Sequence, residues 1–281
     1  MMKIFALLYF PAAIFASINP RVQNTAFLSD AKKSALLLRG GNLGPISGEA
    51  LAKTFGVLAL GDALAGTVKT AEVYEKFHIT VVPGSNGEHY LGHGVASSAA
   101  SLAVTSLLAL TGKTSIEEAI GFGMLARSAF MTEMLLTGKY KQLGVPTAPH
   151  VVVYLFLLGT AFRLLNANSD SVTLAKVVSV ILAGHGGLLF LNPRTDEDDD
   201  TKQMAKFDGG YMFVSSLFSA LLAFGVDPIK AMGYAAIGCI PLFVGFIGLA
   251  ADDAQVFGLN PEQWTFVMVL FIGASAFGML T

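Results

Sequence analysis

From residue 49 to residue 281 the chain alternates between long apolar runs and short polar stretches. At a rise of about 1.5 Å per residue, runs of about 20 residues cross the roughly 30 Å hydrocarbon core of a bilayer. Proline near the helix starts and glycine near the helix ends mark the boundaries. The pattern therefore predicts an all-α polytopic membrane protein with about eight transmembrane helices. They cover residues 49–70, 90–110, 115–137, 147–166, 172–191, 208–224, 228–249 and 262–280.

The eight predicted helices form two similar sets of four. Four short matches recur in the same order at nearly constant displacement, as repeat proteins show. An even number of crossings in each set makes the two units parallel. We therefore predict a first four-helix unit over 49–166 and a second over 167–281. The matches join 51–53 to 174–176, 107–109 to 221–223, 119–122 to 231–234, and 155–156 to 270–271, at displacements of 123, 114, 112 and 115.

Composition supports lipid as the main partner of the chain. Hydrophobic residues make up 53% and charged residues 14%, against about 25% charged residues in soluble domains. The mean hydropathy of +0.62 excludes intrinsic disorder. A net charge of −2 gives no basic field, which argues against a nucleic-acid partner. The one cysteine, Cys239, excludes an intrachain disulfide framework. No pattern indicates an oligomeric state.

The first 26 residues have the character of a signal peptide. Lys3 precedes an apolar run over 4–16, which is too short to span a bilayer and contains Pro11. Cleavage after Ala16 or Ala26 fits this pattern, and an uncleaved first helix fits it less well. A basic, flexible segment with Lys32, Lys33 and Arg39 follows, so we predict a signal peptide over 1–26 and a transit-like segment over 27–48.

A resemblance arises at the end of this leader. The pair Ala26-Phe27, followed by a basic, serine-containing segment that ends in Leu38-Arg39-Gly40-Gly41, resembles the two-part plastid leaders of diatoms and related algae. In that family the aromatic residue directly follows the cleavage site, and the basic segment carries the protein across the inner envelopes. The resemblance implies a plastid membrane. The alternative is another endomembrane or the plasma membrane, reached through the secretory pathway.

Ionisable residues inside the apolar runs are the candidates for function. Asp62 and Arg127 each lie near the middle of a predicted helix, where each costs about 2.5–3.5 kcal/mol on insertion scales. We therefore expect the two to face inward and to approach each other, either directly or through water. In the second unit His185 occupies the position of Asp62. The predicted binding residues for a small molecule or ion are Asp62, Arg127, Glu133 and His185.

Other interpretations of these residues stay open. The charges could form a clamp that only fixes helix packing, or the helix over 115–137 could lie partly in the membrane interface. His89 and His93, four residues apart, share a helix face and are weak metal candidates, because a lone pair at a helix end is more often interfacial.

No catalytic triad or dinucleotide-binding glycine pattern is present in the sequence, so we predict no cofactor and favour a non-enzymatic protein. The first functional hypothesis is small-molecule or ion binding and transport. The second is a membrane scaffold or assembly factor.

Overall fold

The chain folds into ten helices within the part described by the computed structural model, which covers residues 46–68, 70–75, 79–142, 144, 146–166, 171–193, 198–246 and 259–281. The predicted signal peptide and nearly all of the transit-like segment lie outside these residues. The helices are α1 (Gly48–Val68), α2 (Thr70–Glu75), α3 (Asn86–Thr111), α4 (Ile116–Leu136), α5 (Lys139–Gln142), α6 (Thr147–Leu165), α7 (Ser171–Leu191), α8 (Asp199–Ala223), α9 (Pro228–Phe246) and α10 (Pro261–Leu280).

The prediction of an all-α chain is confirmed for the described residues. Eight of these helices are long, with 19 to 26 residues each, and they occupy the eight predicted regions. Five of them, α3, α4, α6, α7 and α10, are long and apolar enough to cross a membrane. Helices α6 and α7 expose large apolar side chains such as Val152, Leu155, Ile181 and Leu188. The chain is therefore compatible with an integral membrane protein.

Side-chain caps fix where several helices begin. Ser115 and Glu118 form a reciprocal capping box at the start of α4, and Asn260 with Gln263 does the same for α10. Each pair satisfies backbone N–H groups that have no partner inside the helix. Helix α3 ends at Gly112, which has a φ of +62°. This left-handed conformation ends a helix at little cost for glycine.

Consecutive long helices pack antiparallel, and small residues let them approach closely. Gly56 near the start of α1 faces Ser106 near the end of α3, whereas Gly66 near the end of α1 faces Ala96. Helices α7 and α8 touch through their backbones, since a Cβ on Gly186 would lie 2.6 Å from the carbonyl oxygen of Gly209. In lipid the hydrophobic effect does not drive helices together, so close van der Waals contact between small residues holds them instead.

The long helices form two antiparallel series that meet along α3 and α8. In each series every helix packs on its neighbour in sequence, with α1, α3, α4 and α6 in one and α7, α8, α9 and α10 in the other. Helix α8 also packs against α3, while α10 contacts α1 and α6 contacts α7. Helices α3 and α8 are therefore at the centre of the bundle.

One end of the bundle holds most of the buried ionisable groups, and we call it the polar end. It is the end at which α3, α6, α8 and α10 begin and at which α1, α4 and α7 finish. Ile79 and Val81, from the connection between α2 and α3, pack there with Leu91, Met204 and Trp264. This apolar cluster covers part of the polar end.

Candidate functional site

The centre of the polar end is a close contact between α3 and α8. Helix α3 contains a π-helical segment over His89–Val95, a wider geometry that is frequent at functional sites. The Asp208 carboxylate of α8 lies directly against Gly94 of this segment, where any Cβ would overlap it. Asp208 is 5% exposed, and its Oδ1 atom has no hydrogen-bond partner. A desolvated, incompletely bonded carboxylate lowers the stability of the fold, so its presence calls for a functional explanation.

Arg127 supplies a buried positive charge beside this carboxylate. It is also 5% exposed. Its Nη1 donates to Ser216 Oγ at 3.4 Å, and its Nη2 donates to Ser98 Oγ at 3.3 Å and to Ser215 Oγ. The Nε atom has no hydrogen-bond partner. Three neutral hydroxyls therefore hold the guanidinium in place and leave its charge uncompensated by direct contact.

Arg127 and Asp208 attract each other without forming an ion pair. Arg127 bonds to Ser98, one turn along α3 from the Gly94 on which Asp208 packs, yet no direct salt bridge or hydrogen bond joins the two side chains. Opposite charges buried at short range normally make contact, because attraction in a low dielectric is strong. The separation leaves polar atoms of both groups free to bind a third group.

No hydrogen bond or salt bridge joins Asp62 to Arg127, so the direct form of the predicted pairing is not found. Asp62 accepts a hydrogen bond from the hydroxyl of Tyr211 on α8, while Arg127 bonds to the serines one turn further along the same helix. Helix α8 offers hydroxyl partners to both charged groups, so neither needs the other.

Glu133 belongs to a different group of residues, at the edge of the polar end. Its Oε2 lies 3.0 Å from His93 Nε2, and its Oε1 lies 3.0 Å from Lys139 Nζ. Lys139 Nζ lies 3.1 Å from the same His93 nitrogen. The Glu133 and Lys139 side chains are 45% and 38% exposed, so this group faces outward.

Aromatic and imidazole rings extend this group across three helices. The His89 and His93 rings stack with centroids 5.9 Å apart, which confirms that they share a face. Tyr140 of α5 lies with its centroid 6.1 Å from the His89 ring and 4.4 Å from the His150 ring. Burial, together with the charges of Asp208 and Glu133, raises the pKa of Tyr140 to about 12, so its hydroxyl keeps its proton at neutral pH.

The four predicted binding residues do not form one site. Asp62 binds Tyr211, and Arg127 binds the α8 serines. Glu133 binds His93, and His185 occupies an exposed position of α7. For the metal candidates, no group of three or more His, Cys, Asp or Glu side chains able to hold an ion occurs in the described parts of the chain.

Asp208 is the functional candidate that the sequence pattern missed. The predicted helix begins at residue 208, which makes this aspartate look like a helix start. Helix α8 instead begins at Asp199, with Asp198 as its cap, and places Asp208 in its third turn. A signal was present in the sequence, because the displacement of 114 aligns Asp208 with Gly94 and sets a charge opposite a residue without a side chain.

Comparisons of the chain with protein-family models, with curated proteins and with solved structures find no match. The function is therefore inferred from the arrangement of Arg127 and Asp208 within the bundle.

Proposed function

We propose that the chain is a multi-pass integral membrane protein that binds and transports a small polar solute between Arg127 and Asp208. In this proposal all eight long helices cross the membrane as two parallel four-helix units, 49–166 and 167–281. The solute site lies at the junction of the two units, as in other transporters that are built from repeats.

Equivalent contacts in the two halves support the two-unit arrangement. Gly121 of α4 packs against Leu164 and Leu165 of α6, and Gly233 of α9 packs against Met279 and Leu280 of α10. The glycines are separated by 112 residues and the leucines at positions 165 and 280 by 115, which are the displacements of the sequence matches. The pairing of α1 with α10 mirrors that of α7 with α6.

The contact of Gly94 with Asp208 supports an approximate two-fold axis between the units. The two residues are at matching positions, 114 apart, and they touch. Matching positions of two related units can touch only near the axis that relates them. Arg127 has Cys239 at the matching position of α9, so the charge occurs on one side of this axis alone and the site is asymmetric.

The observation that carries the transport proposal is a pair of opposite buried charges, each with an unpartnered polar atom. The guanidinium of Arg127 matches a carboxylate or phosphate group. The carboxylate of Asp208 accepts from an ammonium or hydroxyl group. A small solute that carries both an anionic group and a hydrogen-bond donor would satisfy both residues at once. Amino acids, hydroxy acids and sugar phosphates have this chemistry.

Thermal unfolding of the purified full chain in detergent tests this site. A panel of amino acids, hydroxycarboxylates, sugar phosphates and inorganic phosphate is added to wild type, Arg127→Met and Asp208→Asn. We expect one class to stabilise wild type by about 2.7 kcal/mol at a concentration about 100 times its Kd. Neither variant should respond to that class.

The matched control is Lys53→Gln, which removes a cation from an exposed pair with Glu49 at the opposite end of the bundle. This variant should respond as wild type does. The proposal is contradicted if no compound of the panel stabilises wild type, or if Arg127→Met responds to the same compound as strongly as wild type.

A scaffold or assembly role is the second candidate, and the three serine hydroxyls around Arg127 favour it. They hold the guanidinium in place without any solute, as a packing clamp requires. Under this alternative no compound stabilises the protein, while a partner protein copurifies with wild type and is lost when Arg127→Met loosens the bundle.

The compartment proposed from the leader is a plastid membrane. A fluorescent fusion to the carboxyl terminus of the full chain should outline the plastid in a diatom host. Fluorescence in the endoplasmic reticulum or the plasma membrane alone would contradict the plastid assignment and leave the solute site unaffected.

A further inference from the structure

His93 has two competing partners on one ring nitrogen. Its Nε2 lies 3.0 Å from the carboxylate oxygen of Glu133 and 3.1 Å from the ammonium nitrogen of Lys139. A protonated Nε2 donates to Glu133, whereas a deprotonated Nε2 accepts from Lys139. Both states of this nitrogen therefore have a partner already in place, and moving the proton requires little rearrangement.

The other ring nitrogen of His93 faces the interior. Its Nδ1 is buried and has no hydrogen-bond partner. Gly94, the next residue, is the one against which the Asp208 carboxylate packs, and Asp208 Oδ1 is likewise buried without a partner. The exposed pair of Glu133 and Lys139 thus contacts one nitrogen of the imidazole, while the other nitrogen and the Asp208 carboxylate, which packs on the next residue, are both buried without a partner.

We propose that His93 transfers protons from the surface of the polar end to Asp208. The neutral ring begins with its proton on Nδ1 and accepts a second proton at Nε2, delivered through Glu133. The imidazolium then releases the Nδ1 proton to the Asp208 carboxylate, directly or through a water molecule. Asp208 becomes a neutral acid, and His93 is left with one proton on Nε2, which donates to Glu133.

Charged or titratable neighbours of His93 come from its own helix and from the elements packed around it. Glu88 and His89 come from its own helix, Glu133 from α4, and Lys139 and Tyr140 from α5. His150 of α6 lies against the Tyr140 ring, Asp208 of α8 lies against Gly94, and α1, which also packs on this segment, carries Asp62 bonded to Tyr211. Glu133 and Lys139 place opposite charges at the Nε2 atom, so each protonation state of His93 has a partner there.

This inference deepens the proposed function, because protonation of Asp208 would alter the site that binds the solute. A carboxylate attracts a solute's ammonium group, and a neutral acid does not. Proton arrival from the polar end would therefore release the solute, and the driving ion of transport would be H⁺.

Infrared spectroscopy after a rapid drop in pH tests the proton path on the full chain in lipid nanodiscs. The carbonyl band of protonated Asp208 is identified by its loss in Asp208→Asn. In His93→Gln we expect this band to appear about 100-fold more slowly than in wild type, at the lower end of what a positioned proton-transfer group contributes. The final height of the band should match that of wild type, because the glutamine blocks the path without altering the acceptor.

Two further variants control the measurement. Glu133→Gln changes an exposed residue, so it keeps the fold and should also slow the band. If His93→Gln does not fold, the rate measured in Glu133→Gln tests the proton path instead. Glu49→Gln removes a carboxylate from an exposed Lys–Glu pair at the opposite end and should behave as wild type.

An unchanged rate in both His93→Gln and Glu133→Gln would overturn the proton path, and so would the absence of any Asp208 band throughout the pH range in which the protein stays folded. Solute-dependent stabilisation measured on the same His93→Gln protein separates the two proposals. If the solute still stabilises this variant while the Asp208 band appears at the wild-type rate, only the proton path is contradicted. If the Asp208 band appears more slowly in His93→Gln and no solute stabilises wild type, only the solute site is contradicted.

Discussion

Gly94 and Asp208 stand at matching positions of the two predicted units, 114 residues apart, and the Asp208 carboxylate lies against the Gly94 backbone. This glycine belongs to the π-helical segment of α3. The contact joins α3 to α8 and sets a negative charge near Arg127. The arrangement depends on the absence of a side chain at Gly94.

Gly94→Ala should therefore destabilise the protein. The added methyl group overlaps the Asp208 carboxylate, and overpacking of this kind costs about 1–3 kcal/mol, partly offset by the better helix propensity of alanine. Thermal unfolding in detergent measures the change. Gly184→Ala is the control, because a Cβ at Gly184 meets nothing within 4 Å. It should leave the melting temperature unchanged or raise it, and equal losses in both variants would argue against the contact.

Gly186→Ala and Gly187→Ala should differ although the residues are adjacent. A Cβ at Gly186 would lie 2.5 Å from the backbone nitrogen of Phe213, whereas one at Gly187 would lie 3.7 Å from the nearest atom of the Phe213 ring. The first change forces the α7 and α8 backbones apart and should cost about 2 kcal/mol. The second should cost less than about 0.5 kcal/mol. Reversal of this order in chemical denaturation would contradict the packing of α7 on α8.

Arg127 should be energetically coupled to Asp208 rather than to Asp62. Arg127→Met leaves the Asp208 carboxylate without its neighbouring positive charge, and loss of one buried partner costs about 3–5 kcal/mol. The double variant with Asp208→Asn should recover part of this loss. The double variant with Asp62→Asn should be additive within about 0.5 kcal/mol, because Asp62 is bonded to Tyr211 instead. Recovery with Asp62→Asn and not with Asp208→Asn would instead support the pairing of Arg127 with Asp62.

Tyr211→Phe should destabilise α1 against α8. It removes the hydroxyl that donates to the Asp62 carboxylate, and an unsatisfied buried acceptor costs about 1–3 kcal/mol. Tyr234→Phe is the matched control, because Tyr234 is 48% exposed. Protease resistance and thermal unfolding should change in the first variant alone. A Tyr211→Phe protein as stable as wild type would show that the bond contributes nothing.

The positions of the long helices could be predicted from the apolar pattern because lipid and helix geometry together fix their length. The predicted helix over 172–191 is found as Ser171–Leu191, and that over 147–166 as Thr147–Leu165. The start of α8 was missed by nine residues, because Asp199, Asp200 and Lys202 resemble a loop. The cap formed by Asp198 on the Thr201 N–H nevertheless starts the helix there.

The partners of the buried charges could not be predicted, because an apolar pattern shows which segments are helical without showing how each is rotated. Asp62 and Arg127 both turn toward α8, where hydroxyl groups accept or donate to them. Serine and tyrosine side chains are uncharged, so nothing in the sequence singles them out as partners of a buried charge. The π-helical segment of α3 also changes the direction in which the side chains after it point. A pattern read with a regular period of 3.6 residues does not predict this change.

The central claim is that water and solute reach Arg127 from the polar end, and thiol labelling tests it most directly. Cys239 is the one cysteine of the chain, so Cys239→Ser provides a thiol-free background. Ser215→Cys then places a thiol beside the guanidinium, at a position that is 1% exposed. Ser85→Cys marks the polar end, and Thr114→Cys marks the opposite end of the bundle.

Each variant is reconstituted in sealed vesicles and exposed from outside to a hydrophilic, membrane-impermeant thiol reagent, in both orientations of the protein. We expect Ser215→Cys to be labelled in the orientation that labels Ser85→Cys, more slowly than that control, and a stabilising solute to protect it. Labelling only in the orientation of Thr114→Cys, or no labelling of Ser215→Cys while both controls react, would contradict the account.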